Sequence, residues 1–224
     1  MNKTILLKTT PWDTLAFGIP TWELNEYSEK SLQLAIQTAG HYSIKVEPLS
    51  NKRLLNQYGF YYCDTLLEPR CNAARLRQTQ HPDATISKEV DAEAVVLIGQ
   101  GAFAHGRFHR DFNLPKAAAN LRYSNWLKQL LESKQVYGLY WRGKLAGFIG
   151  YNTNRLVLHA VAEEYRGKGL AKFWWSLLCA ELLAAGSDEI TSSISASNLA
   201  VLNLYASLGF SFSYPQDIYQ RMVP

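Results

Sequence analysis

Long apolar runs are missing from this chain of 224 residues. A membrane-spanning helix needs roughly 18 to 20 of them. The richest stretch, Phe173 to Ala185, is shorter and carries Glu181. The apolar run in Met1-Asn-Lys-Thr-Ile-Leu-Leu-Lys8 stops too early for a signal peptide. Cysteine is scarce: Cys63, Cys71 and Cys179 are odd in number and show no C-x-x-C spacing. That excludes a disulfide scaffold and a zinc site of the usual spacing, and fits a reducing cytoplasm. No block of Lys and Arg stands out, so nucleic acid is not an expected partner. His105 and His109 have the four-residue spacing of a helical metal pair, but Gly106 interrupts them and no third ligand is evident, so no metal is expected.

What is present points to a packed globular protein. Hydrophobic residues make up 47% and charged residues 19%, which argues against disorder. Aromatics are plentiful, with 13 Tyr, 9 Phe and 6 Trp, and favour a well-buried interior. The net charge of +4 suits anionic small molecules.

Trp12 to Gly18 reads as an aromatic-rich loop. Strands are expected at 21–27, 42–47 and 60–67, the last ended by Pro69, with helices at about 28–40 and 51–58. Leu55-Asn-Gln-Tyr-Gly-Phe60 resembles Leu204-Tyr-Ala-Ser-Leu-Gly-Phe210, each a short helix, a Gly stop and a Phe-led strand. The first 70 residues therefore look like an echo of the last half of the main domain, without its glycine turn. Polar residues 73–83 read as a linker.

After the linker, a strand is expected at 85–88, helices at 91–103 and 115–132, and a hairpin of 136–141 and 145–151. A strand over 156–162 leads into a helix over 167–185. Leu170, Phe173, Trp174, Leu177, Leu178 and Leu182 share one face of that helix. A strand at 189–195, a helix at 198–208 and an extended stretch at 210–222 complete the chain. The expected division is an N-terminal α/β segment, 1–72, a linker, 73–83, and a main domain, 84–224.

Between the strand ending near Val161 and the helix lies Arg166-Gly-Lys-Gly-Leu-Ala171. Two glycines permit unusual backbone angles and close approach of a ligand. A helix N-terminus directly behind them presents free N–H groups to an anion. A second helix opens at Asn198 and carries Tyr205 two turns later, before Gly209-Phe210.

Together these two stretches resemble the GNAT superfamily of acetyl-CoA-dependent N-acetyltransferases. The resemblance implies a mixed α/β fold with a mostly antiparallel sheet, splayed central strands and flanking helices. The N-terminal segment then looks like half of such a domain. It implies acetyl-CoA as cosubstrate, with its pyrophosphate on Arg166, Gly167, Lys168, Gly169, Leu170 and Ala171. Val161 is expected to pair by its backbone with the pantetheine arm, and Asn198 to hydrogen-bond it. Tyr205 is expected near the sulfur. A phenol titrating near 10 stays protonated at neutral pH and can donate to a departing thiolate, as a general acid. A base for the amine is expected among Asp64, His159, Glu163 and Glu164.

Over nearly its whole length the chain also resembles a family of bacterial sugar-nucleotide N-acetyltransferases, that of dTDP-fucosamine acetyltransferase, which acts on dTDP-4-amino-4,6-dideoxygalactose. The residues that carry this are Trp12-Asp-Thr-Leu-Ala-Phe-Gly18, Phe103-Ala-His-Gly-Arg-Phe108 and Tyr123-Ser-Asn-Trp126. The resemblance implies a base at Asp64, where that family has a longer glutamate. It makes Arg107, Phe108, Tyr123 and Phe17 candidates for holding substrate. The expected function is transfer of acetyl from acetyl-CoA to a primary amine on a nucleotide-linked amino sugar, by direct attack in a ternary complex. The alternatives are another amine (an amino acid, a protein N-terminus or an aminoglycoside) and a non-catalytic coenzyme A-binding module. A phosphate-loop hydrolase ranks last, because Leu170 follows Gly169 where Lys-Ser/Thr would be needed. The expected partners are acetyl-CoA, a small amine and a second copy of the chain in a homodimer.

Overall fold

The structure is a computed structural model and describes residues 6–103 and 106–224. In chain order the elements are β1 (Leu7–Thr9), α1 (Pro11–Phe17), β2 (Thr21–Leu24), α2 (Glu29–Ala35), β3 (Gly40–Val46), α3 (Arg53–Gln57) and β4 (Tyr61–Asn72). Then come β5 (Ala84–Ser87), α4 (Ala92–Gly99), α5 (Lys116–Glu132), β6 (Val136–Trp141), β7 (Lys144–Asn152) and β8 (Arg155–Val161). The last are α6 (Ala171–Ala184), β9 (Glu189–Ser192), β10 (Ile194–Ser195), α7 (Leu199–Ser207) and β11 (Ser211–Val223).

These form two compact units, one of residues 1–66, 105–122 and 215–224, the other of 67–104 and 123–214. Neither is a contiguous half of the chain. Residues 73–83 hold no helix or strand, but they are fastened to the second unit. Arg77 N donates to Leu208 O at 3.0 Å and Thr79 N to Ser176 Oγ at 2.8 Å.

In the first unit, β1 and β2 are antiparallel, β2 and β3 parallel, and β3 is antiparallel to β11 over Asp217–Val223. Leu32, Ile44, Leu55 and Phe60 form its core. The expected loop at 12–18 is in fact helix α1. Pro11 stands at its start, where a missing N–H matters least, and Gly18 closes it at φ 69°. Asp13 of α1 is buried and ion-paired with Arg122.

In the second unit, β4 pairs with β9 through Arg70–Asn72, and the order continues through β8, β7 and β6 to β5. β4 therefore runs past Pro69, where the sequence suggested a stop. Proline tolerates extended backbone, and its missing N–H falls just before the rungs with β9. One face of the sheet buries Val95, Leu127, Phe148, Leu158 and Ala160 with α4 and α5. The other buries Leu139, Ile149, Leu156 and Ile190 with α6 and α7. On α6 the buried set is Trp174, Trp175, Ser176, Leu178, Cys179 and Leu182. The buried face is thus rotated from the expected one, toward Trp175 and Cys179.

The internal echo has structural counterparts. α3 and α7 end in the same pair of bonds: Gly59 N to Asn56 O and Phe60 N to Leu55 O, then Gly209 N to Ala206 O and Phe210 N to Tyr205 O. Both glycines are left-handed, at φ 69° and 92°. β2 and β3 are parallel around α2, as β8 and β9 are around α6. The strands that follow are exchanged, since β4 pairs with β9 and β11 with β3.

Candidate functional site

β8 and β9 make only two rungs, Arg155 with Thr191 and Leu156 with Ser192. Beyond them the strands part. The cause is local to β8. Its register with β7 steps from Tyr151–Leu156 to Gly150–Leu158, which leaves Val157 as an extra residue. Such a bulge bends its strand and exchanges its faces. Leu156 accordingly packs with α6 and α7, whereas Leu158 and Ala160 pack with α4 and α5.

The same register fixes where the backbone of β8 points. Ala162 N donates to Ala146 O at 2.9 Å, so the pair 146/162 is hydrogen-bonded. The alternate pair Gly147–Val161 then turns its N–H and C=O groups away from β7, toward the side where β9 has left. Val161 O already accepts from Arg166 Nε at 2.7 Å.

Glu163–Tyr165 form a single 3₁₀ turn, followed by the glycine turn. Gly167 and Gly169 have φ of 72° and 70°. A Cβ at either would meet nothing within 4 Å, so the protein itself leaves that space open. Those angles also explain why α6 starts at Ala171 and not at Gly167. Leu170, at its N-cap, gives no side-chain cap. The first N–H groups therefore remain for an anion. Arg166, Lys168 and Lys172 are all exposed around them.

Tyr205 is completely buried, and its hydroxyl has no hydrogen-bond partner among the described residues. Its ring lies edge-on to Phe210 at 4.7 Å and to His159 at 6.4 Å. Burial pushes the phenol well above its ordinary value. The His159 imidazole also packs edge-on to Trp175, at 5.1 Å. Burial pushes it down to about 4. His159 is thus neutral at pH 7 and a weak base. Glu163 and Glu164 are exposed. Asn198 caps α7, its carboxamide oxygen accepting from Val201 N at 3.3 Å. Tyr123 stacks on Phe103 at 5.2 Å.

The remaining expected site residues lie in the first unit. Phe108 is buried, 5.1 Å from the Phe17 ring, with the Arg107 guanidinium 4.8 Å above it. Asp64 is also buried. Its Oδ1 accepts from Arg110 Nη1 and from Thr65 N, both at 2.9 Å. Burial and the neighbouring carboxylates of Asp111 and Asp64 push the Cys63 thiol up to about 12, so it is no nucleophile.

Sequence reading missed a network beside these residues. His41 Nε2 lies 2.8 Å from Asp111 Oδ2, and Tyr61 donates to both Asp111 oxygens at 2.9 and 3.0 Å. Burial raises the Asp111 carboxyl, but bonds from His41, Asn113 N and Tyr61 outweigh it and leave the carboxyl below its ordinary value. The three lie far apart in the chain, so no spacing announces them. His105 lies outside the described residues. Among those described, no three His, Cys, Asp or Glu side chains are placed to hold a metal ion. No described helix is long and apolar enough to cross a membrane.

A parted pair of parallel strands, a glycine turn and an uncapped helix are features of the GNAT fold. Residues 105–210, just under half of the chain, match the model of the acetyltransferase (GNAT) family. Solved structures agree on the fold. A GCN5-related N-acetyltransferase from Sphaerobacter thermophilus aligns with a TM-score of 0.64 at 12% identity, over 96% of this chain and 75% of its own. A functionally unknown conserved protein from Staphylococcus epidermidis aligns at 0.63 and 15%, over 96% and 89%. A tandem GNAT protein from the clavulanic acid biosynthesis pathway aligns at 0.57 and 12%, over 92% and 76%. No curated protein matches the sequence.

Proposed function

We propose that this chain is an N-acetyltransferase that moves the acetyl group of acetyl-CoA to a primary amine on a nucleotide-linked amino sugar. The observation that carries the reading is the fork: β8 leaves β9 after Leu156–Ser192 and runs, with its outward backbone unpaired by β9, to an uncapped glycine turn.

In this reading the pyrophosphate sits on the N–H groups from Gly167 to Ala171, with Arg166 and Lys168 supplying charge. The pantetheine arm takes the place of β9 in the fork and accepts from Val161 N–H. That donor also polarises the thioester carbonyl as charge develops on it. Asn198 offers its amide NH₂ to the arm, its oxygen being held by the helix cap. The amine attacks the carbonyl carbon in a ternary complex. The C–S bond breaks, and Tyr205 gives its proton to the departing sulfur. Ligand entry at the fork must bring the sulfur to a hydroxyl that is enclosed in the free protein. Asp64 is the proposed base, acting once its pair with Arg110 opens to substrate.

The amino-sugar nucleotide rests on the family resemblance and on the Arg107, Phe108 and Phe17 cluster. A guanidinium over an aromatic ring suits a nucleoside diphosphate by charge and by stacking. The test is acetyl-CoA turnover against a panel of amino-sugar nucleotides, amino acids, peptides and aminoglycosides. Turnover restricted to the sugar nucleotides is expected. Turnover with another amine and none of the sugar nucleotides contradicts the substrate assignment.

A further inference from the structure

The sheet of the first unit has two unlike faces, and strand register sorts them. Between β3 and β11, Tyr42 is opposite Arg221 and Ile44 opposite Tyr219 on one face, while His41 is opposite Met222 and Ser43 opposite Gln220 on the other. The first face is the apolar one, where Tyr42, Ile44 and Val46 pack with Leu32 and Leu55. The second is polar. The parallel pairing of β2 with β3 sets Glu23 beside Ser43, so Glu23, Ser43 and Gln220 form one row across three strands.

Gln220 is 0% exposed, and neither its Oε1 nor its Nε2 has a hydrogen-bond partner among the described residues. Both ends of a carboxamide are thus buried and unused. That is rare in folded proteins, because each end forfeits its bonds to water. A methionine has the same length and would fill the place without that cost. The polar network around His41 does not use Gln220. The Asp111 oxygens in it take His41 Nε2, the Tyr61 hydroxyl and Asn113 N.

The row leads outward from Gln220. Ser43 and Glu23 are half-buried, and Lys45, ion-paired with Glu23 at 2.7 Å, is exposed. The row also joins the aromatic cluster to which the nucleotide is assigned above. His41 is the diagonal neighbour of Gln220 on this face, at roughly 7 to 8 Å. Its ring lies 6.0 Å from Phe17 and 6.4 Å from Phe108, over which the Arg107 guanidinium sits at 4.8 Å.

We propose that Gln220 is a specificity-determining residue that reads the base of the nucleotide-linked substrate. Its carboxamide oxygen accepts from a base N–H, and its NH₂ group donates to the acceptor beside that N–H. The proposal rests on the nucleotide-linked substrate proposed above. A carboxamide holds a donor and an acceptor side by side in one plane, and base edges carry the complementary pair in the same way. Sugar hydroxyls are staggered out of one plane, and any polar side chain serves them.

The test is binding, without acetyl-CoA. UDP, dTDP, CDP, ADP and GDP are titrated calorimetrically into the full chain, with ribose 5-diphosphate as the probe that lacks a base. At least one nucleotide is expected to bind about tenfold or more tighter than ribose 5-diphosphate. Gln220→Met is expected to weaken that nucleotide about tenfold or more and ribose 5-diphosphate by less than about twofold. The variant is also expected to melt no lower than the native chain, because it removes a buried unpartnered amide. In the native chain the Gln220 side-chain ¹⁵N–¹H₂ resonances are expected to shift with that nucleotide and not with ribose 5-diphosphate. Affinities unmoved by Gln220→Met, resonances that ignore the nucleotide, or a variant that melts lower or fails to fold each overturn the proposal and leave Gln220 a structural residue. Failure of the substrate reading looks different: the native chain then binds neither the nucleotides nor ribose 5-diphosphate, and the proposal falls with it.

Discussion

Leu156 and Ser192 are joined twice, as the last rung between β8 and β9 and by the Ser192 hydroxyl, which donates to Leu156 O at 2.8 Å. The fork opens one residue later, at the Val157 bulge. Ser192→Ala removes the side-chain bond and leaves the rung. It is expected to lower unfolding stability by about 1 kcal/mol in urea titration, with acetyl-CoA still bound. A loss of binding without a loss of stability would mean that Ser192 touches the ligand.

Gly169→Ala separates backbone strain from ligand contact. The new Cβ meets no protein atom within 4 Å, yet φ is 70°. The strain is expected to cost about 1 to 2 kcal/mol of stability. Acetyl-CoA affinity is expected to fall by about tenfold or more, since a pyrophosphate must approach this backbone closely. Calorimetric titration of acetyl-CoA together with a melting curve reads both effects.

His159 makes a prediction about pH. Its ordinary value is 6.5, and burial holds it at about 4 in the folded chain. As pH falls the unfolded chain takes up the proton first, so stability is full above 6.5 and drains away toward 4. The total is about 3 kcal/mol at 1.36 kcal/mol per pKa unit. Asp111 and Glu23, with carboxyls held below their ordinary values, lose their contributions at still lower pH. His159→Phe is expected to flatten the slope between 6.5 and 4, measured as unfolding free energy at stepped pH.

The Asp64–Arg110 pair distinguishes scaffold from chemistry. Arg110→Met removes the ion pair that Arg110 Nη1 makes with the buried Asp64 carboxylate at 2.9 Å. That is expected to cost about 3 kcal/mol of stability. Asp64→Asn keeps shape and most hydrogen bonding, so as base it is expected to lower kcat by about a hundredfold or more with a small change in melting temperature. Equal losses of stability and unchanged kcat in both variants would make Asp64 purely structural.

Much of this was legible in the sequence because it lies in local patterns. The glycine turn, the helix behind it and the Gly-Phe stops after α3 and α7 each depend on neighbours a few residues apart. Helix α1 was not legible, because its aromatics hid a proline start and a glycine stop. The Val157 bulge was invisible for another reason. An extra residue in a strand leaves no compositional mark, yet it sends His159 to the α6–α7 face, against Trp175 and Tyr205. The His41–Asp111–Tyr61 network joins residues up to 70 positions apart and exists only once the chain has folded.

Acetyl transfer through the fork is tested most directly by following free coenzyme A release from acetyl-CoA with amino-sugar nucleotides, in the native chain and in Tyr205→Phe. The expected result is release matched one for one by acetylated sugar nucleotide, with kcat reduced about a hundredfold or more in Tyr205→Phe and acetyl-CoA binding unchanged. Release that no amine stimulates, or an equal kcat in the two proteins, would contradict the account.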